Sequence, residues 1–238
     1  MEILKYMLIF IPISFIAKFL NASDSVMFIL SCLSIIPLAG LMGEGTEEIS
    51  FYSGPKIGGF LNGTFGNATE LIISIFALKE GLFDVVKSSI AGAVIGNILL
   101  VIGASMLAGG LKYKTQKFNQ KVSEVSSSML LFAVLGLCIP ALFTHTVDPK
   151  LLNTRYEGLS IFVAVVMIVI YALSLFFSFS THKHIYNNND EHEGSAKWSL
   201  KKAISILVIS TILIAIESEF LVNGIEPITE SLGWSQFF

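Results

Sequence analysis

Seven apolar stretches, each close to the length of a bilayer core, follow one another along this 238-residue chain, at about 3–20, 26–43, 57–79, 85–109, 124–143, 157–180 and 200–222. A hydrocarbon core takes roughly 20 residues of helix to cross, and a helix satisfies its own backbone inside lipid. The expectation is therefore all-α: a polytopic transmembrane helical bundle of about seven transmembrane helices. Composition agrees, with 53% hydrophobic residues, 14% charged residues and a mean hydropathy of +0.74.

The same pattern sets aside several other classes. Lys5 ahead of the first stretch invites a signal-peptide reading, but Pro12 interrupts that stretch and no small-x-small cleavage site stands clearly after it. Cys32 and Cys138 both sit in apolar stretches and suggest neither a disulfide framework nor a metal pair. A net charge of −3, with basic residues dispersed among loops, offers no nucleic-acid partner. An enzyme is not expected: His145, His182, His184 and His192 are read as loop residues, and no serine or cysteine has a base at recognisable spacing.

Basic residues also orient the chain. With a cytoplasmic N-terminus, one side holds Lys5, Lys56, Lys112, Lys114, Lys117, Lys121, Lys183, Lys197, Lys201 and Lys202, and the other holds Lys18, Lys79, Lys87, Lys150 and Arg155. Ten against five favours that orientation, so the expectation is a multi-pass protein of the cell membrane with its N-terminus inside.

Within the third stretch, Gly66-Asn67-Ala68-Thr69-Glu70 puts a carboxylate fourteen residues from Lys56 and nine from Lys79. An acid at that depth costs about 2.5–3.5 kcal/mol on insertion scales, which marks a residue that binds or moves something. Helical steps of three and four place Gly59, Asn62, Gly63, Gly66, Asn67, Glu70 and Ser74 on one stripe, and leave Leu61, Phe65, Ile72 and Phe76 elsewhere. A small-residue packing face explains Gly59 and Gly63 but not Glu70. The glycines also make local unwinding inexpensive, so that main-chain carbonyls can turn toward a cation.

The second stretch runs into Glu44, Glu47 and Glu48 at helical spacing, three carboxylates suited either to a proton relay or gate or, more simply, to a solvated helix end. The fourth carries Gly92 and Gly96, then Asn97 and Gly103, a pattern suited to packing against the third. Asn97 is expected either to orient Glu70 or to make an ordinary interhelical hydrogen bond. A polar run from His182 to Ser195 reads as a linker.

These residues resemble the calcium/proton exchangers of the cation/Ca2+ exchanger superfamily. The likeness runs through Gly45-Thr46-Glu47-Glu48, Gly58-Gly59-Phe60-Leu61-Asn62-Gly63-Thr64-Phe65-Gly66-Asn67-Ala68-Thr69-Glu70 and Gly96-Asn97-Ile98-Leu99, and covers nearly the whole chain. One departure is Gly63, where the family usually has alanine. The resemblance implies a leading helix at 1–22, a first five-helix repeat at 23–180, an acidic linker at 181–199 and the start of a second, inverted repeat at 200–238, that is, the first half of an inverted-repeat exchanger fold. It implies that Glu70, Gly66, Asn67 and Thr69 hold the ion, that Asn97, Asn62 and Ser74 support it, and that Glu44, Glu47 and Glu48 relay protons or gate. Calcium would be cargo, exchanged for protons, with no cofactor.

The family's second motif, Gly-Asn-Ala with a glutamate two positions on, has no copy here. A calcium ion takes six to eight oxygens, and Glu70 alone is half a site. The expectation is a partial chain that transports once a second polypeptide carrying the C-terminal repeat completes it. The competing expectation is a truncated, transport-inactive membrane protein.

Overall fold

The computed structural model describes residues 2–146, 157–181 and 195–235, and every regular element among them is helical. In chain order these are α1 (Glu2–Met7), α2 (Phe10–Phe19), α3 (Asp24–Phe65), α4 (Ala68–Lys79), α5 (Phe83–Gly96), a π-helical turn (Asn97–Val101), α6 (Ile102–Lys112), α7 (Gln120–Thr146), α8 (Glu157–Phe176), a second π-helical turn (Phe177–Thr181) and α9 (Leu200–Leu232). The chain divides into two compact units, Met1–Lys112 with Gly194–Phe238, and Tyr113–Glu193.

The first unit is organised on the pair α3 and α9. Leu38, Met42 and Ile49 of α3 bury against Ala203, Leu207 and Ile214 of α9. The partners run in opposite directions along the seam: Gly45 meets Ala203 and Leu207, Met42 meets Thr211, and Phe28 and Asp24 meet Gly224. Glycine is required where the backbones approach most closely. A Cβ on Gly224 would stand 2.8 Å from Phe28 Cβ and 2.9 Å from the Asp24 carbonyl oxygen. Small residues that admit a neighbouring backbone are the usual means of packing helices in lipid, where apolar burial alone provides no drive.

Helix α9 starts at Ser199, whose Oγ accepts a hydrogen bond from the Lys202 backbone N–H, and stops at Gly233 in the left-handed conformation (φ 65°). Helix α3 is two helices joined at Gly54, where φ is +80° and ψ 168°. Pro55 follows, a residue with no N–H to lose at a helix start. The bend is sharp enough that a Cβ on Gly58 would fall 2.3 Å from Ser50 Cβ. The leading segment lies along α3, with Leu4 Cδ2 3.2 Å from where a Gly40 Cβ would be. A second cluster joins Ala77 of α4 and Leu82 to Val222 and Ile225 of α9.

Five continuous helices among the described residues are long and apolar enough to cross a membrane: Asp24–Gly54, Phe83–Lys112, Gln120–Phe143, Glu157–Phe176 and Leu200–Leu232. The other two apolar stretches are present but interrupted. The first is divided between α1 and α2, and the third between the helix after Gly54 and α4. The protein is an all-α, multi-pass membrane protein.

In the other unit, α7 and α8 approach at Gly136, where a Cβ would lie 2.7 Å from Met167 Sδ. His145 lies in the last turn of α7, not in a loop as its place beyond the apolar stretch suggests, because the helix runs on past Pro140 to Thr146. His182, His184, His192 and most of the polar linker lie outside the described residues.

Candidate ion site at the helix break

The third apolar stretch is broken in the middle of its polar motif. The helix after Gly54 ends at Phe65, with the Gly66 N–H donating to the Asn62 carbonyl at 2.8 Å. Asn67 leaves helical geometry (φ −112°, ψ 11°), and the ladder resumes where the Leu71 N–H donates to the Asn67 carbonyl at 3.1 Å. Asn67 also steadies the break from the side, its Nδ2 donating to the Gly63 carbonyl at 3.4 Å. A helix end and a helix start thus meet at two residues. The end contributes carbonyl oxygens released from the ladder, and the start contributes the positive end of a helix dipole.

Glu70 stands in the first turn of α4, where that dipole favours a negative charge. Its side chain is exposed and makes no hydrogen bond or ion pair among the described residues. The periodicity anticipated from sequence is reproduced in burial. Gly59, Asn62, Gly63, Gly66, Asn67 and Glu70 are all exposed, and Ser74 half-buried, on the polar stripe. On the other side, Leu61, Phe65 and Ile72 pack against the α3–α9 core and Phe76 against the second cluster. Thr69 is half-buried. A carboxylate, two amide side chains and loosened carbonyls on one face make a set of hard oxygen donors, the chemistry of a calcium-type cation.

The remaining sequence candidates are spread more widely. Asn97 is exposed, opens the π-helical turn between α5 and α6, and makes no side-chain hydrogen bond to Glu70 or to any other described residue. A π-helical insertion inside an α-helix is uncommon and tends to mark functional positions. The packing expected between Gly92, Gly96, Gly103 and the third stretch is not made: a Cβ at any of the three would meet open space. Their small size therefore leaves this face uncovered rather than tightly packed.

Glu44, Glu47 and Glu48 lie on α3 in the turns before Gly54. Glu44 is half-buried and Glu47 exposed. Glu48 is not solvated: it is 4% exposed, and its Oε2 accepts the backbone N–H groups of Lys197 (2.8 Å) and Trp198 (2.9 Å). This clamp holds the segment entering α9, and Tyr52 Oη reinforces it by donating to the Trp198 carbonyl at 2.6 Å. Sequence reasoning missed it because the contact joins residues about 150 positions apart.

Nor did it place Glu217 among the site residues. The side chain is fully buried between α2, α3 and α9, bonded to Ser14. The signal was available, since Glu217 is an acid inside the seventh apolar stretch and three serines lie on the apolar helices packed around it.

Comparison with known proteins gives a consistent result. The family model described as sodium/calcium exchanger protein matches residues 24–180. A Ca(2+)/H(+) antiporter of Aphanothece halophytica is 43% identical over 98% of this chain and 66% of its own length. The Ca(2+)/H(+) antiporter ChaA of Bacillus subtilis (strain 168) is 42% identical over 96% of this chain and 65% of its own. The solved structure of native YfkE superposes with a TM-score of 0.78 at 38% identity, covering 95% of this chain and 62% of that one. The chain spans about two thirds of the length of the relatives it matches.

Proposed function

Since this chain belongs to the sodium/calcium exchanger protein family, we propose that it forms the first-repeat side of a calcium/proton antiporter, with Glu70 as the carboxylate for which calcium and protons compete. The observation that carries this reading is the broken helix at Gly66–Asn67, with an exposed and unpaired Glu70 in the first turn beyond it. Deprotonated Glu70 and carbonyls around Gly66 bind the cation, with Asn67 and Thr69 shaping the break. Asn62, Ser74 and Asn97 support it. Protonation of Glu70 removes the charge that holds the ion, and the two cargoes are thereby coupled.

One carboxylate leaves a divalent cation with uncompensated charge in a medium short of water. The second acid comes from an inverted second repeat, whichever polypeptide carries it. The opposed directions of α3 and α9 support the division into a leading helix (1–22), a first repeat (23–180), a linker (181–199) and the opening of a second repeat (200–238). Gly54, the one interruption inside α3, serves as the hinge on which the motif helix rocks to alternate access. Glu44 and Glu47 lie on the other side of that hinge as the proton gate. The basic-residue bias supports a cell-membrane protein with a cytoplasmic N-terminus.

The test is calcium uptake driven by a pH gradient in everted vesicles containing this chain together with a polypeptide bearing the second repeat. Glu70→Gln removes the charge and keeps the shape, and is expected to abolish uptake. Undiminished uptake in that variant would overturn the assignment.

A further inference from the structure

Three helices of the first unit converge on a fully buried acid, Glu217, well apart in sequence from the exposed Glu70. Glu217 on α9 is 0% exposed, as are Ser14 on α2 and Ser31 and Ser34 on α3. Ser14 Oγ lies 2.7 Å from the Ile11 carbonyl oxygen and is also in hydrogen-bond contact with Glu217 Oε1. Ser31 and Ser34 face the same carboxyl group, and among the described residues neither their Oγ atoms nor Glu217 Oε2 has a partner at hydrogen-bond distance.

Counting hydrogens decides the state of this cluster. A serine hydroxyl has one hydrogen to donate and lone pairs to accept with. Ser14 therefore has one hydrogen for two contacts, to the Ile11 carbonyl at 2.7 Å and to Glu217 Oε1. A carboxylic-acid O–H supplies the second hydrogen: Ser14 then donates to Ile11 and accepts from Glu217. Charge balance points the same way. Among the described residues none forms an ion pair with Glu217, and an isolated carboxylate buried in apolar surroundings is strongly disfavoured.

The charged groups on the surrounding helices leave that balance in place. On α2, Lys18 is one turn from Ser14, with its Nζ 5.3 Å from the Phe220 ring centroid. On α3, Asp24 precedes Ser31 by about two turns and Glu44 follows Ser34 by nearly three. On α9, Glu219 and Glu226 are exposed. Helix α1 contributes Lys5, and α4 contributes Glu70 and Lys79. No ion fits between Glu217 Oε1 and Ser14 Oγ, which are already in contact, and one carboxyl with three hydroxyls falls short of a divalent cation's oxygen shell.

We propose that Glu217 is a second proton-binding site in the membrane-spanning part of the chain, a neutral carboxylic acid that donates to Ser14 Oγ, with Ser14 in turn donating to the Ile11 carbonyl. The proton is the ligand, and its release requires the α2–α3–α9 junction to open. This inference does not rest on the calcium site, and its readout is independent of transport. The infrared spectrum of the chain in lipid nanodiscs at neutral pH, compared with that of Glu217→Gln, is expected to show the loss of a carboxylic-acid C=O band that shifts in D2O. Ser14→Ala, which keeps Glu217, is expected to retain that band at higher frequency because its hydrogen-bond acceptor is gone. Loss of a carboxylate band in its place would overturn the proposal, as would an acid band that Ser14→Ala leaves unmoved. A Glu217-dependent carboxylate band that moves when sodium chloride replaces choline chloride would also overturn it, in favour of a monovalent cation site.

Discussion

The α3–α9 seam and the Gly66–Asn67 break use the same residue types to opposite ends. In the seam, glycines admit a neighbouring backbone, and Glu48 is taken up by two backbone amides. At the break, the glycines meet no neighbouring helix and Glu70 has no partner. An acid already satisfied within the chain stabilises the fold and has little left to offer a ligand. One left unpaired at a helix start keeps its full capacity for an incoming charge. Mutations can separate the two regions, because those in the seam should register in stability and those at the break in ion handling.

The largest effect is expected from Gly224→Val. The new side chain collides with Phe28 and the Asp24 carbonyl, both part of the helix the core is built on, so the overpacking cost reaches or exceeds about 3 kcal/mol. Thermal unfolding in detergent should show a steep fall in midpoint or a loss of folded protein; an unchanged midpoint would mean the helices are not in contact. Glu48→Ala comes next. It strands the Lys197 and Trp198 amides, at about 1–3 kcal/mol, while calcium affinity is retained. If unfolding is unaffected and transport is lost, Glu48 belongs with the ion path and the contrast between the regions fails.

Glu70→Gln is expected to behave in the reverse manner, with a stability change within about 0.5 kcal/mol because none of the described residues holds the side chain, and with calcium binding by calorimetry lost. A large drop in unfolding midpoint would mean that Glu70 is a structural acid like Glu48. The smallest effect is expected from Asn97→Ala. One hydrogen bond in a membrane protein averages about 0.6 kcal/mol, so if Asn97 engages only when the ion is bound, affinity falls about threefold and stability is unmoved. No change in affinity would remove Asn97 from the site.

Much of this was legible in the sequence because helical periodicity is a local property. The division of the third stretch into Leu61, Phe65, Ile72 and Phe76 on one side and the glycine, asparagine and glutamate stripe on the other reappears as packed and exposed faces. The tendency of Gly66 toward local unwinding could likewise be read from its lack of a side chain. What periodicity cannot carry is an interruption: the break between α1 and α2 and the one at Gly66–Asn67 sit inside stretches of suitable hydropathy, and the Gly54 bend falls between the second and third stretches within one continuous helical run. Gly54-Pro55 was a sign of the bend. Nor can periodicity reveal partners distant along the chain. Ser14 and Glu217 are separated by 203 positions, and only the folding of α9 against α3 and α2 makes them a pair.

The tether at Trp198 has a mechanical consequence. The Glu48 carboxylate grips the chain's amides, the Tyr52 hydroxyl grips its carbonyl, and Lys202 lies 4.8 Å over the Trp198 ring, all within a few residues of Gly54 or of the start of α9. A pull on the segment leading into Trp198 is therefore not dissipated as slack. It is delivered as a force to the part of α3 just before Gly54, so whatever seizes that segment from outside acquires a handle on the angle of the motif helix.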